Sequence, residues 1–98
     1  MSDLLFSALG EGKPVRLEKN GQSICVTRIG EEVFAIEDTC THSEASLSEG
    51  EVTGTKIECW LHGAEFDLRT GVALSLPATQ GVKIFGVRIN DDFVSIEI

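Results

Sequence analysis

Asn20-Gly21 stands between two β-rich runs, Val15-Arg16-Leu17 and Ile24-Cys25-Val26-Thr27-Arg28-Ile29. Both positions of such a pair accept positive φ, which a two-residue hairpin needs if its twist is to match that of the flanking strands. A turn at Gly30-Glu31-Glu32 leads into Val33-Phe34-Ala35-Ile36. Near the C-terminus Val82–Ile89, Asn90-Asp91-Asp92 and Phe93–Ile98 repeat the scheme of strand, turn and strand. Val82, Ile84 and the last run alternate apolar with polar residues, the period of half-buried strands. Beyond the first ten residues no stretch sustains a helical period. The prediction is an all-β chain, a small antiparallel sandwich or barrel. Residues 1–98 read as one domain, large enough for a single modest core and too small for two.

Between the strand-rich ends the chain changes character. From Cys40 to about Leu76 the apolar runs are short and loops are frequent. This insert contains both histidines and two of the three cysteines, as Cys40-Thr41-His42 and Cys59-Trp60-Leu61-His62. Gly50 follows His42 by eight residues and Gly71 follows His62 by nine, each where a short hairpin is expected to turn. Two similar loops, each offering one cysteine and one histidine, would close around something between them.

The formal net charge of −8 repels nucleic acid and anionic membrane surfaces and suits a partner with a basic patch. Met1–Leu9 is briefly apolar, but it lacks a basic start, carries Asp3 and breaks at Gly10, so it reads as neither signal peptide nor membrane span. A cytoplasmic location is expected. Three cysteines cannot form a closed disulfide set, and in a reducing compartment metal ligation is the better reading for two of them. Cys25, alone between Ile24 and Val26, reads as a buried inert thiol, and Glu31-Glu32 and Asp91-Asp92 as solvated turn charges.

Two thiolates and two imidazoles suit zinc or iron–sulfur chemistry rather than calcium or magnesium. Four such ligands could surround zinc, which keeps open a module of a different class, a zinc-stabilised interaction domain without redox role. Zinc fingers, however, group cysteines with cysteines and place their histidines on a helix. Here each half is mixed, and the second runs into Gly63.

The spacing C-x-H-x16-C-x-x-H resembles the Rieske signature, and the resemblance extends from about Ser2 to Ile98. It implies one two-iron, two-sulfur cluster, with Cys40 and Cys59 on one iron and His42 and His62 on the other. It also implies a fold of stacked antiparallel sheets, with a small cluster-binding subdomain, about residues 40–76, inserted in a larger basal domain. A third, proline-bearing loop covers the cluster in that family, and Leu76-Pro77-Ala78 matches it in place. Two thiolates just neutralise two ferric ions and two sulfides, so reduction starts from a neutral cluster and the potential is higher than with four thiolates. Gly63 would let backbone N–H groups approach a sulfur, and Trp60 would either shield the cluster or pack.

Departures from the family pattern narrow the reading. Respiratory and photosynthetic members carry a disulfide between the ligand loops, where this chain has Ala45 and Leu61, and they are membrane-anchored. They also direct serine and tyrosine hydroxyls at the cluster sulfurs, where this chain has Ala64 and Phe66. The chain therefore resembles the soluble Rieske ferredoxins of bacterial aromatic-ring dioxygenase systems. That resemblance implies an electron carrier rather than an enzyme, taking electrons from a flavoprotein NAD(P)H reductase and passing them to a terminal oxygenase. A mononuclear oxygenase iron needs further histidines, and both are committed to the cluster motif. The neighbouring alternative is the small Rieske-type subunit of an assimilatory nitrite reductase.

Overall fold

The computed structural model describes residues 4–39, 46–60, 63–75 and 81–97. Its strands are β1 (Leu4–Leu5), β2 (Val15–Lys19), β3 (Gln22–Ile29), β4 (Glu32–Glu37), β5 (Glu51–Thr53), β6 (Lys56–Glu58), β7 (Glu65–Asp67), β8 (Ile84–Asn90) and β9 (Phe93–Glu97). Single 3-10 turns form at Phe6–Ala8 and Leu47–Glu49. The chain is all-β and antiparallel in its strand ladders, as expected. The hairpins also fall where the turn residues put them. Asn20 and Gly21 take φ of 51° and 77° between β2 and β3, Gly30 takes 62° after β3, and Asp91 takes 56° between β8 and β9.

The strands form a six-stranded sheet, in the order β1-β9-β8-β4-β3-β2, and a three-stranded sheet, β5-β6-β7. β4 meets β8 through only two residue pairs, Ala35↔Phe85 and Ile36↔Ile84, so the large sheet consists of two three-stranded halves joined at a short seam. The result is three antiparallel triplets, the stacked arrangement that the resemblance implies.

Two apolar clusters hold these triplets together, and here the expectation of a single core needs correction. Ile24, Val26, Val33, Ala35, Phe85, Val94 and Ile96 pack between the halves of the large sheet. Cys25, Ile36, Leu47, Ile57, Cys59, Ala64, Phe66, Leu68 and Val82 pack between the β2-β3-β4 half and the small sheet. The middle triplet is covered on both faces, which is why Ile24 through Thr27 are all buried and the run does not alternate. Each face has its own core because a strand sends successive side chains to opposite sides.

Other expectations are also corrected. The alternation expected from Val82 to Ile84 fails. Val82 is buried in the small-sheet cluster, Phe85 is buried in the other, and Ile84 between them is 46% exposed. The chain passes from one core to the other there, and the period slips by one. Gly50 is no hairpin turn. Its backbone is extended, and the turn between β5 and β6 is at Gly54-Thr55. Glu32 and Asp92 are not merely solvated. Glu32 pairs with Arg69 at 3.1 Å, and the Asp92 carboxylate accepts the Ser7 N–H at 2.9 Å and its hydroxyl at 2.6 Å.

Candidate metal centre

Cys59 follows β6 directly and begins a tight connection to β7. Its N–H donates to the Ala64 carbonyl at 2.7 Å, and its carbonyl accepts the Gly63 N–H at 2.9 Å. Gly63 is at φ 76°, a conformation that a side chain would strain, so glycine closes the turn. The Cys59 side chain is fully buried beside Leu47, Ile57, Ala64 and Phe66 in the small-sheet cluster, and its thiol is free. A soft sulfur donor is thus held by a short, doubly bonded turn.

Of the four sequence-predicted ligands, Cys59 is described. Cys40, His42 and His62 lie outside the described residues, as do Leu76-Pro77-Ala78, Ala45 and Leu61. The flanks of their segments converge. Thr39 and Ser46 bridge each other at the two ends of residues 40–45. The 3-10 turn that follows leads into Gly50, where an added Cβ would stand 1.8 Å from the Glu58 carbonyl oxygen and 3.2 Å from that of Leu47. Glycine lets the end of the first motif segment lie directly on the residue that precedes Cys59. The turn expected there is instead a close approach of two backbones.

The third segment is anchored to the same sheet. The Leu74 N–H donates to the Glu65 carbonyl at 2.7 Å, and the Glu65 N–H to the Ser75 hydroxyl at 3.0 Å. The Val82 N–H donates to the Gly71 carbonyl at 2.7 Å, and a Cβ on Gly71 would stand 2.2 Å from the Val82 carbonyl oxygen. Ser75 and Val82, on either side of the segment, are therefore both tied down beside β7.

Asp38 was missed by the sequence reading, because a lone aspartate between Glu37 and Thr39 looks like another surface charge. Its side chain is 1% exposed and its Oδ1 accepts the Ser48 N–H at 2.8 Å. Trp60 is 54% exposed, so its ring is not packed in the core. Cys25 is buried in the small-sheet cluster, and burial pushes its thiol up to about 12, with the Thr27 hydroxyl opposing and the Asp38 charge adding. It is inert in the sense expected.

Among the described residues no three histidine, cysteine or carboxylate side chains gather as a metal site. On the outer face of the small sheet Glu51 pairs with Glu58 and Glu58 with Glu65, a row of three carboxylates ending next to Cys59 and Ala64. The described donor fits an iron–sulfur cluster, since the Cys59 sulfur sits among apolar side chains and the neighbouring Glu58 is exposed on the other face of the sheet.

Comparison with known proteins agrees. A family model described as the Rieske [2Fe-2S] domain matches residues 4–86. The ferredoxin component of biphenyl 2,3-dioxygenase from Rhodococcus jostii is 39% identical over 90 residues, 92% of this chain and 84% of that protein. The ferredoxin of carbazole 1,9a-dioxygenase from Nocardioides aromaticivorans superimposes with a TM-score of 0.96 at 30% identity, covering 99% of this chain and 95% of the other. A complex of oxygenase and ferredoxin in carbazole 1,9a-dioxygenase contains a chain matched at TM-score 0.93 and 36% identity, with 99% of this chain and 91% of that one covered. A structure described as the small subunit of an NADPH nitrite reductase shares the fold (TM-score 0.89) at 19% identity, with 100% of this chain and 97% of that one covered.

Proposed function

Because the chain belongs to the Rieske [2Fe-2S] family, we propose that it is a one-electron carrier of an aromatic-ring dioxygenase system. It takes electrons from a flavoprotein NAD(P)H reductase, delivers them to a terminal oxygenase and catalyses no bond chemistry itself. Cys40 and Cys59 hold one iron and His42 and His62 the other, within a cluster-bearing unit of about residues 40–76 inside the single domain. The cytoplasm is its proposed location; among the described residues no helix is long and apolar enough to cross a membrane.

The observation that carries this reading is the placement of Cys59, free and fully buried on a doubly bonded turn, inside a motif that uses both histidines of the chain. When bound, the cluster supplies one reversible electron at a potential set by mixed thiolate and imidazole ligation. The protein's own residues do the rest. The Cys59–Gly63–Ala64 turn fixes the sulfur, Leu47, Ile57 and Phe66 exclude water from its inner side, and Gly50 lets the two motif segments approach. The likeness to dioxygenase ferredoxins at 30–39% identity supports an oxygenase as acceptor, against 19% for the nitrite reductase subunit.

Absorption and electron paramagnetic resonance of iron-loaded protein, before and after dithionite, test the cluster. A red-brown protein that gains a rhombic signal only on reduction is expected. A colourless, zinc-bearing protein with no such signal would overturn the proposal. Reduction by a dioxygenase-system flavoprotein and reoxidation by its oxygenase test the partners.

A further inference from the structure

Asp38 is the only buried carboxylate among the described residues, and each of its polar groups has a partner. Its N–H donates to the Ser23 carbonyl at 3.1 Å, and its carbonyl accepts the Leu47 N–H at 2.5 Å. Oδ1 accepts the Ser48 N–H at 2.8 Å, and Oδ2 lies 3.7 Å from Arg16 Nε. Ser23 and Arg16 belong to the β2–β3 hairpin of the large sheet. Leu47 and Ser48 belong to the 3-10 turn on the far side of residues 40–45. One residue therefore ties both flanks of the segment that carries Cys40 and His42 to the β2–β3 hairpin. Arg16 is itself held in place by Glu18 at 2.9 Å and the Ser23 hydroxyl at 3.0 Å.

We propose that Asp38 is the positioning residue for this segment, and that its charge, opposed by Arg16, helps set the potential of the cluster bound there. The inference rests on the cluster reading above. Removing this buried acceptor leaves the Ser48 N–H unsatisfied, which loosens the turn that ends the segment. The carboxylate stands two residues from Cys40, so its negative charge opposes the electron that reduction adds. The Arg16 charge acts in the opposite sense.

The test compares holoprotein of the wild type, Asp38→Asn, Asp38→Ala and Arg16→Gln. Cluster bleaching by an iron chelator reads the positioning role, and voltammetry reads the charge. Asn retains an acceptor for Ser48 but no charge, so it should keep its cluster and raise the midpoint. Arg16→Gln should lower it. Asp38→Ala should bleach about tenfold faster, in the range typical of residues that support metal ligands. If Asp38→Ala does not fold, the opposite shifts of the two charge variants still decide the matter. Bleaching of Asp38→Ala at the wild-type rate, or both charge variants moving the same way, would overturn the inference alone. A wild type without a Rieske cluster would sink the functional reading as well.

Discussion

At the scale of the residue, the chain keeps two kinds of cysteine apart by environment. Cys25 is sealed between β2 and β4, and its thiol stays protonated to about 12 because burial disfavours the thiolate. Its native pKa is raised above the unfolded value of 9.0, so folding holds a proton that the unfolded chain releases. The stability contributed is fully present below pH 9 and is lost as pH rises toward 12. Iodoacetamide at pH 8 should leave Cys25 unmodified in native protein and label it in urea, which peptide mass mapping would show. Ala64 provides a second prediction. It adjoins the Cys59 turn, is fully buried and cannot donate a side-chain hydrogen bond. Ala64→Ser adds a hydroxyl that favours the reduced cluster. A differential of about 1–3 kcal/mol corresponds to roughly 40–130 mV for a one-electron couple. Voltammetry should find the midpoint raised, and a lowered midpoint would remove this account of potential.

At the scale of the element, the small sheet depends on close backbone contacts more than on its own side chains. β5, β6 and β7 have three residues each, too short to be stable alone, and Val52, Ile57 and Phe66 are their apolar contribution. Gly50→Ala would place a Cβ 1.8 Å from the Glu58 carbonyl oxygen, an overlap that must push the first motif segment off β6. The expected loss is on the order of 3 kcal/mol, read as a lower urea midpoint, together with reduced iron content after purification. The row Glu51–Glu58–Glu65 acts in the opposite direction, because like charges set directly opposite each other across a sheet repel. Glu58→Gln removes the central charge and should stabilise the protein by about 0.2–1 kcal/mol at low salt, with the gain fading as salt is added. A melting temperature unchanged by the substitution at low salt would show that the row is fully screened already.

At the scale of the whole molecule, the architecture separates support from function. The β2-β3-β4 half has a core on each face, one shared with β8 and β9 and one with the small sheet. The second core, which contains Cys59, is thus backed by a triplet that is braced from behind. The formal charge of −8 belongs to the molecule as a whole and acts at long range. Encounter with a basic redox partner should slow steeply as ionic strength rises, because screening shortens the field to about 8–10 Å near physiological salt. Stopped-flow reduction by a reductase at increasing salt measures this. A rate indifferent to salt would assign the encounter to apolar contacts such as the exposed Trp60.

Local chemistry alone determined the hairpins at Asn20-Gly21, Gly30 and Asp91, because positive φ is a property of two or three residues and needs no distant partner. It also carries the proposed ligand set, Cys40, His42, Cys59 and His62, because the spacing of the two cysteine–histidine pairs resembles the Rieske signature without any knowledge of the fold. The positions of the cores were not legible. Whether Val82 and Phe85 face one cluster or two depends on a seam of two residue pairs, and the run itself contains no trace of that crossing. Asp38 and Gly50 likewise look like any surface aspartate and any turn glycine. Their roles exist only because folding brings Ser48 within 2.8 Å of one and the Glu58 carbonyl against the other. Periodicity records which side a residue faces along its own strand; what waits on that side is decided by segments far away in the chain, and only the tertiary structure contains that.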